Sequence, residues 1–200
     1  MTNISKILIA TNNSGKVLEM SSLLSSTGFT VTTPAKENVR LEVEETGQTF
    51  EENASIKAVA FAKESGLLSI ADDSGLEVEY LDGEPGVRSA RYVGEEATDH
   101  DRVVYLLDKL KDVEWSGRQA RFKSVIAIAD PQGVISIFEG ACNGYILFKP
   151  TGLNGFGYDP VFYLPNHNKS MSELTIEDKN RISHRGLAMS KAVKFLSEMN

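Results

Sequence analysis

Residues 7–16 read Ile7-Leu8-Ile9-Ala10-Thr11-Asn12-Asn13-Ser14-Gly15-Lys16. The first four are apolar and too few for a helix, so they read as a short buried strand. Thr11 to Gly15 is a cluster of turn residues. Val17, Met20, Leu23 and Leu24 then recur at helical spacing, and Gly28 is placed to close that helix. Strand, polar loop and helix in succession leave helix N-terminal amides where an anion can reach them.

The same reading extends along the chain. Thr49-Phe50-Glu51-Glu52 is a capping-box pattern, with Asn53 to Ser65 rich in helix formers and Gly66 at the C-terminal position. Leu67 to Ala71 is a second apolar strand that runs into Asp72-Asp73-Ser74-Gly75. Leu76, Val78 and Tyr80 alternate with polar residues as a half-buried strand. Thr98 to Asp101 caps a helix with Val103, Leu106, Leu107 and Leu110 on its stripe. Phe122–Ala129 and Val134–Phe138 read as strands joined at Asp130-Pro131-Gln132-Gly133. Gly144–Phe148 and Val161–Leu164 read as further strands. Thr175–Asp178 is another cap, and an amphipathic helix carries Leu187, Ala188, Ala192, Phe195 and Met199. The hairpin predicts a mixed sheet in an α/β protein. No repeat or linker divides the 200 residues, so one domain over 1–200 is expected.

Composition excludes several classes. With 41% hydrophobic and 24% charged residues the chain is too apolar to be disordered. Its 21 basic against 28 acidic residues give a net charge of −7. That balance argues against stable nucleic-acid binding, which needs a phosphate-neutralising surface. One cysteine, Cys142, permits no intrachain disulfide, and three histidines with it do not make an all-Cys/His structural zinc site. Ile7–Ala10 is too short for a signal peptide or a membrane span, so no membrane association and a cytoplasmic address are expected.

Five stretches carry chemistry-bearing residues, each with a plainer reading beside the functional one. Asp72-Asp73 is a strand-end carboxylate for a metal or proton transfer, or an Asp-rich turn. Neighbouring side chains on a strand face opposite ways, so the two share a job only where the chain turns. Glu42, Glu44 and Glu45 are a solvated charge run, or the partner carboxylate; magnesium takes one or two carboxylates and fills its shell with water and phosphate oxygens. Thr11–Lys16 is a phosphate cradle or a polar connection. It is not a Walker A loop. Gly152, Gly155 and Gly157 space a loop carrying Phe156, Tyr158 and Asp159, whose aromatics stack on a base or plug the core. Lys179, Arg181, His184 and Arg185 form a basic knot, for phosphate and base edges or for charge balance.

Taken in order, these stretches resemble the inosine triphosphate pyrophosphatases. The matching residues are Thr11-x-Asn13-x-x-Lys16-x-x-Glu19, then Glu45-Thr46-Gly47-x-Thr49-Phe50-x-Glu52-Asn53-Ala54-x-x-Lys57-Ala58, then Ile70-Ala71-Asp72-Asp73-Ser74-Gly75-Leu76. Pro85-Gly86-x-x-Ser89-Ala90-Arg91-Tyr92, Gly155-Phe156-Gly157-Tyr158-Asp159-Pro160 and Ile182-Ser183-His184-Arg185 complete the set, which spans Ile7 to Ala188. Asn12 departs from a common Gly, and Arg88 from a common Tyr.

The resemblance implies a long curved mixed sheet with flanking helices and two lobes around a central cleft, and a homodimer. It implies Mg²⁺-dependent hydrolysis of non-standard purine nucleoside triphosphates (dITP, ITP, XTP) to monophosphate and pyrophosphate, which cleanses the nucleotide pool. It also implies roles. Thr11, Asn12, Asn13, Ser14, Gly15 and Lys16 take phosphate. Asp73 is metal ligand and general base, with Ser74 on the substrate beside it. Glu45 is the partner metal ligand, with Glu44 its close rival. Phe156, Gly157, Tyr158, Asp159, Lys179, His184 and Arg185 take base and sugar. Anhydride cleavage fits such a set, because it needs charge neutralisation and an oriented nucleophile more than covalent help. A phosphatase cutting the terminal phosphate would share most of these residues, as would a non-catalytic nucleotide sensor.

Overall fold

The computed structural model describes residues 6–199. Seven strands form one sheet in the order β2-β1-β3-β4-β5-β6-β7. They are β1 (Lys6–Ile9), β2 (Thr30–Thr32), β3 (Leu68–Val78), β4 (Gln119–Asp130), β5 (Gly133–Ile146), β6 (Phe162–Leu164) and β7 (Lys169–Ser170). The helices are α1 (Ser14–Leu24), α2 (Phe50–Ser65), α3 (Asp99–Lys109), α4 (Ile176–Ile182) and α5 (His184–Met199). β1 is parallel to both β2 and β3, whereas β6 is antiparallel to β5 and β7. The sheet is mixed, as the hairpin requires. The β4–β5 turn is pinned by the Asp130 carboxylate, which accepts from the amides of Gln132 and Gly133 at 2.8 and 3.1 Å.

The chain divides into two compact units, and neither is continuous in sequence. The first holds the described residues up to Asp73, Ser124–Gly140, and those from His184 on; the second holds Ser74–Lys123 and Ala141–Ser183. The boundaries fall within β3, β4 and β5 and between α4 and α5. The first unit buries Ile7, Ile9, Met20, Leu24 and Ile70 with Ile126, Ile128, Met189 and Leu196. The second buries Leu76, Val103, Leu106, Leu110, Phe122, Phe162 and Met171. Phe122 and Phe162 pack ring to ring, with centroids 4.4 Å apart.

The helix signals hold. Thr49 closes a reciprocal capping box with Glu52, and Gly66 takes the left-handed conformation at the far end of α2. Asn13 caps α1 and Thr98 caps α3. α1 stops at Leu24, short of Gly28.

Two strand readings are corrected. Asp72-Asp73-Ser74-Gly75 is no turn: β3 runs through it without a break. The acidic pair stays in extended backbone because both carboxylates find cationic partners there. Gly144–Phe148 is no separate strand either, since β5 runs from Gly133 through Gly144 to Ile146. Its glycines are there for close approach. A methyl on Gly140 would overlap the His184 carbonyl oxygen and the Ala188 amide nitrogen at the start of α5. Both obstacles are backbone and cannot rotate away.

Gly140→Ala must therefore push α5 off β5. Overpacking of this kind costs about 1–3 kcal/mol. At about 2–4 °C per kcal/mol for a chain of this size, the melting temperature should fall by several degrees in a thermal scan. An unchanged melting temperature would show that the two elements are not in this contact.

Candidate active site

β1 and β3 run parallel in register, Ile9 opposite Ile70, and the Ala10 amide donates to the Ile70 carbonyl at 2.8 Å. The loop Thr11–Lys16 leaves the end of β1, and Asp72-Asp73 comes just after Ile70 on β3. Both therefore lie on the carboxyl side of neighbouring parallel strands, where open α/β sheets hold their ligands. The loop is internally braced. Thr11 Oγ1 accepts from the Asn13 amide at 3.2 Å, and Asn13 Oδ1 accepts from the Lys16 amide at 3.0 Å.

Because β3 stays extended, Asp72 and Asp73 face opposite ways. Asp72 is 1% exposed. Its Oδ1 accepts from Ser124 Oγ at 2.6 Å, and its Oδ2 lies 2.8 Å from Lys16 Nζ and 3.0 Å from Arg185 Nη2. Arg185 in turn donates through Nη1 to Glu19 Oε2 at 2.6 Å. Burial by itself would raise the Asp72 carboxyl, but Arg185 and Lys16 outweigh it and hold it well below the usual carboxylate range. Burial lowers Lys16, against the opposing pull of Asp72.

Asp73 is 5% exposed and meets a different set. Its Oδ1 lies 2.7 Å from Lys57 Nζ, and Glu45 Oε1 lies 2.8 Å from the same nitrogen. Lys57 also donates to the Asp72 carbonyl oxygen at 3.0 Å, which Lys16 Nζ reaches at 3.2 Å. Asp73 Oδ2 is buried with no hydrogen-bond partner. Burial pushes the Asp73 carboxyl above its ordinary value, with Lys57 and Lys16 opposing.

Glu45 owes its position to the α2 cap. The Gly47 amide donates to Asn53 Oδ1 at 2.8 Å, and the amides of Gln48 and Thr49 donate to Glu52 Oε2 at 2.7 and 3.1 Å. A side chain at Gly47 would collide with Glu52 and Asn53. Glu44 is exposed beside it.

The donors of Glu45 and Asp73 suit a hard divalent cation. They are oxygens only, one is buried without a partner, and two carboxylates leave the rest of the shell to water and phosphate. Among the described residues no three His, Cys, Asp or Glu side chains form a metal cage.

The second unit carries the glycine loop. Asp159 is 2% exposed; its Oδ2 accepts from the Phe156 amide at 2.9 Å and pairs with Lys179 Nζ. Lys179 Nζ also lies 4.8 Å from the centre of the Phe156 ring. The Gly157 amide donates to Asp99 Oδ2 at 2.7 Å. Tyr158 is a core residue, with its hydroxyl donating to the Ser89 carbonyl at 3.0 Å and burial raising its pKa. Phe156 and Gly157 stay partly exposed.

The expected residues thus gather in two groups. Thr11–Lys16, Glu45, Asp73 and Arg185 meet in the first unit, where His184 is also buried at the start of α5. Phe156, Asp159 and Lys179 meet in the second, which Ser74 opens as a half-buried residue of β3. Arg185 is committed to Asp72 and Glu19. Sequence reading assigned no role to Lys57, Glu19, Ser124 or Asp99. Lys57 had a signal: Asn53 and Lys57, one turn apart, stand on α2 beside Ala54, Ala58 and Phe61, and all five are buried. Ser124, a small residue within an apolar strand, had none.

Asp72→Asn leaves Lys16 buried without its paired carboxylate and Arg185 with Glu19 as its remaining counter-charge. Such a loss costs about 3–5 kcal/mol, so the variant should melt well below wild type, while Asp73→Asn should melt close to it. The depressed Asp72 carboxyl adds stability that is complete above the ordinary carboxylate value of about 3.9 and vanishes as pH falls through the lower folded value. Denaturation against pH should show that acid-side slope in wild type and a shallower one in Asp72→Asn. Equal stability of the two proteins would refute the role given to Asp72.

The Ham1 family model matches residues 7–195. The dITP/XTP pyrophosphatase of Halalkalibacterium halodurans is 48% identical over 189 residues, covering 94% of this chain and 97% of that protein. The dITP/XTP pyrophosphatase of Desulforamulus reducens is 48% identical over 194 residues, covering 97% and 96%. A solved HAM1 protein from Coxiella burnetii superimposes with a TM-score of 0.87 at 42% identity, covering 96% of this chain and 98% of its own. Matches of this length and identity leave one conclusion: the chain belongs to the Ham1 family.

Proposed function

We propose that this chain hydrolyses non-standard purine nucleoside triphosphates, among them dITP, ITP and XTP, to the monophosphate and pyrophosphate. The naming of its relatives supports the substrate class. The observation that carries the chemistry is Asp73. Its carboxylate is raised by burial, has one oxygen without a partner, and lies beside Glu45 and the phosphate loop.

Charge explains why a cation is needed. Lys16, Lys57 and Arg185 face Glu19, Glu45, Asp72 and Asp73, so the cluster has no surplus positive charge for a triphosphate. Glu45 and Asp73 would hold Mg²⁺, which supplies the missing neutralisation when bound. Thr11–Lys16 takes phosphate oxygens through amides at the start of α1. Asp73 accepts a proton from water as the water oxygen bonds to the α-phosphorus. The anhydride bond to the β-phosphate breaks, and pyrophosphate carries off the bonding pair. Ser74 assists on the substrate. In the second unit Phe156, Gly157 and Lys179 take the base and sugar, with Asp159 as the anchor of their loop and Tyr158 as its root in the core. His184 also serves the base and sugar, and Arg185 acts through Asp72. The protein works as a homodimer in the cytoplasm. Among the described residues no helix is long and apolar enough to cross a membrane.

Two measurements test this reading. With Mg²⁺ and ITP the products should be IMP and pyrophosphate, and a chelator should abolish turnover. Asp73→Asn should lower kcat by roughly 10²-fold or more while staying folded, and Glu45→Gln should raise the Mg²⁺ requirement more than Glu44→Gln does. Orthophosphate with a nucleoside diphosphate as product, or near-normal turnover in folded Asp73→Asn, would reject it.

Selectivity depends on the base edge. Hypoxanthine and xanthine offer an oxygen acceptor at C6 and a hydrogen on N1, and adenine reverses both. The amides of Phe156, Gly157 and Asp159 already donate within their own unit, which shifts the donor role toward Lys179 and His184. A buried donor left unpaired costs about 1–3 kcal/mol, so kcat/KM for ITP should exceed that for ATP by a factor on the order of 10². His184→Ala should narrow that ratio. Equal hydrolysis of ITP and ATP by wild type would remove the donor argument.

A further inference from the structure

Lys57 is a buried cation placed on both carboxylates assigned to the metal. An ammonium has three N–H donors. Here they meet three acceptors: Asp73 Oδ1 at 2.7 Å, Glu45 Oε1 at 2.8 Å and the Asp72 carbonyl at 3.0 Å. Lys57 sits in the middle of α2, whose reciprocal cap and left-handed Gly66 fix both ends. Its backbone is therefore held and only the side chain can yield.

We propose that Lys57 is a built-in counter-ion that occupies the carboxylate pair in the cation-free protein and must release it before a divalent cation binds. The inference rests on the reading that Glu45 and Asp73 hold that cation. Two acidic side chains brought together under burial repel each other, and one shared ammonium cancels that repulsion. A divalent ion bound to the same oxygens would lie within a few ångströms of the ammonium, in a place of low polarisability. Like charges at that range repel strongly. The cation gains the carboxylates only as Lys57 swings away, so its affinity is reduced by the work of parting the ammonium from three acceptors. The partnerless Asp73 Oδ2 is where displacement begins, because it offers a first oxygen while Oδ1 still holds Lys57. A residue with this role gates the metal and differs from one that simply shapes its site: a shaping residue raises metal affinity, and this one lowers it.

The test is a titration of the substrate-free protein with Mn²⁺, read by calorimetry and by the electron paramagnetic resonance of free Mn²⁺. Lys57→Met keeps the length and removes the charge, and should tighten the dissociation constant about tenfold or more. It should also melt lower than wild type without metal and regain more on adding it. Lys57→Arg keeps the charge and should stay near wild type. Unchanged or weaker Mn²⁺ binding by folded Lys57→Met overturns the proposal. Should Lys57→Met not fold, wild type decides: in lysine-labelled protein the protected ammonium resonance of Lys57, assigned by its loss in Lys57→Arg, should shift and exchange faster as Mg²⁺ saturates. A resonance unmoved at saturation also overturns it. Asp73→Asn separates this inference from the reading beneath it. Mn²⁺ binding that survives Asp73→Asn sinks the metal assignment itself. Binding that needs Asp73 but ignores the Lys57→Met change sinks only the gate.

Discussion

A single carboxylate with almost no exposure, that of Asp72, joins four elements of the first unit. Through Lys16 it reaches α1, through Ser124 it reaches β4, and through Arg185 it reaches α5 and, by way of Glu19, α1 again. Ion pairs buried this deeply seldom add net stability over well-packed apolar residues, since each ion must first be stripped of water. Their effect here is positional. A guanidinium fork between two carboxylates permits little rotation or sliding of α5 against α1. The Thr11–Lys16 loop at the head of α1 is thereby set against β3 at Asp72. Gly140 serves the same end at the first turn of α5, by letting β5 approach without a side chain between them.

The elements of this fold were legible where local signals were strong. Caps at Thr49, Thr98 and Thr175 named the starts of α2 to α4, because a side-chain oxygen on an orphan amide is a local fact. The errors came where tertiary contacts overrode local preference. Asp72-Asp73-Ser74-Gly75 carries every mark of a turn, yet partners from α1, α2, β4 and α5 make the extended form the better one. Gly140 and Gly144 weaken a strand by propensity and are demanded by close packing in this one. No local pattern distinguishes a glycine that breaks a strand from one that lets another backbone approach.

The residues of the candidate site were nominated more readily than their connections. The motifs and the resemblance nominated Lys16, Glu45 and Asp73, and Lys57 and the Asp72 carbonyl bring the three side chains together. What the sequence hid was the order of contact. Arg185 in a basic knot resembles a ligand for phosphate or base, but its guanidinium is spent on Asp72 and Glu19. Lys57 looks like one more lysine of an exposed helix until its face is known to be buried. Charged residues reveal their roles through partners distant in sequence. Arg185 and Glu19 are 166 residues apart, beyond anything spacing can indicate.

Adjacent residues on one strand show how environment divides labour. Asp72 and Asp73 are both carboxylates and both nearly buried, and the desolvation cost acts on each in the same direction. The difference lies in what faces them. Asp72 accepts from two cationic side chains and a hydroxyl, so its charge is overcompensated and its proton is lost well below the ordinary range. Asp73 shares one ammonium with Glu45 and keeps one oxygen without a partner, so its charge is undercompensated and its proton affinity rises. A carboxylate of the first kind can hold a frame but makes a poor base, because it has little affinity left for a proton. One of the second kind accepts protons more readily and has a vacant lone pair for a cation. The strand's two-residue period creates this difference: one step along the chain turns the side chain from a filled set of partners to an unfilled one.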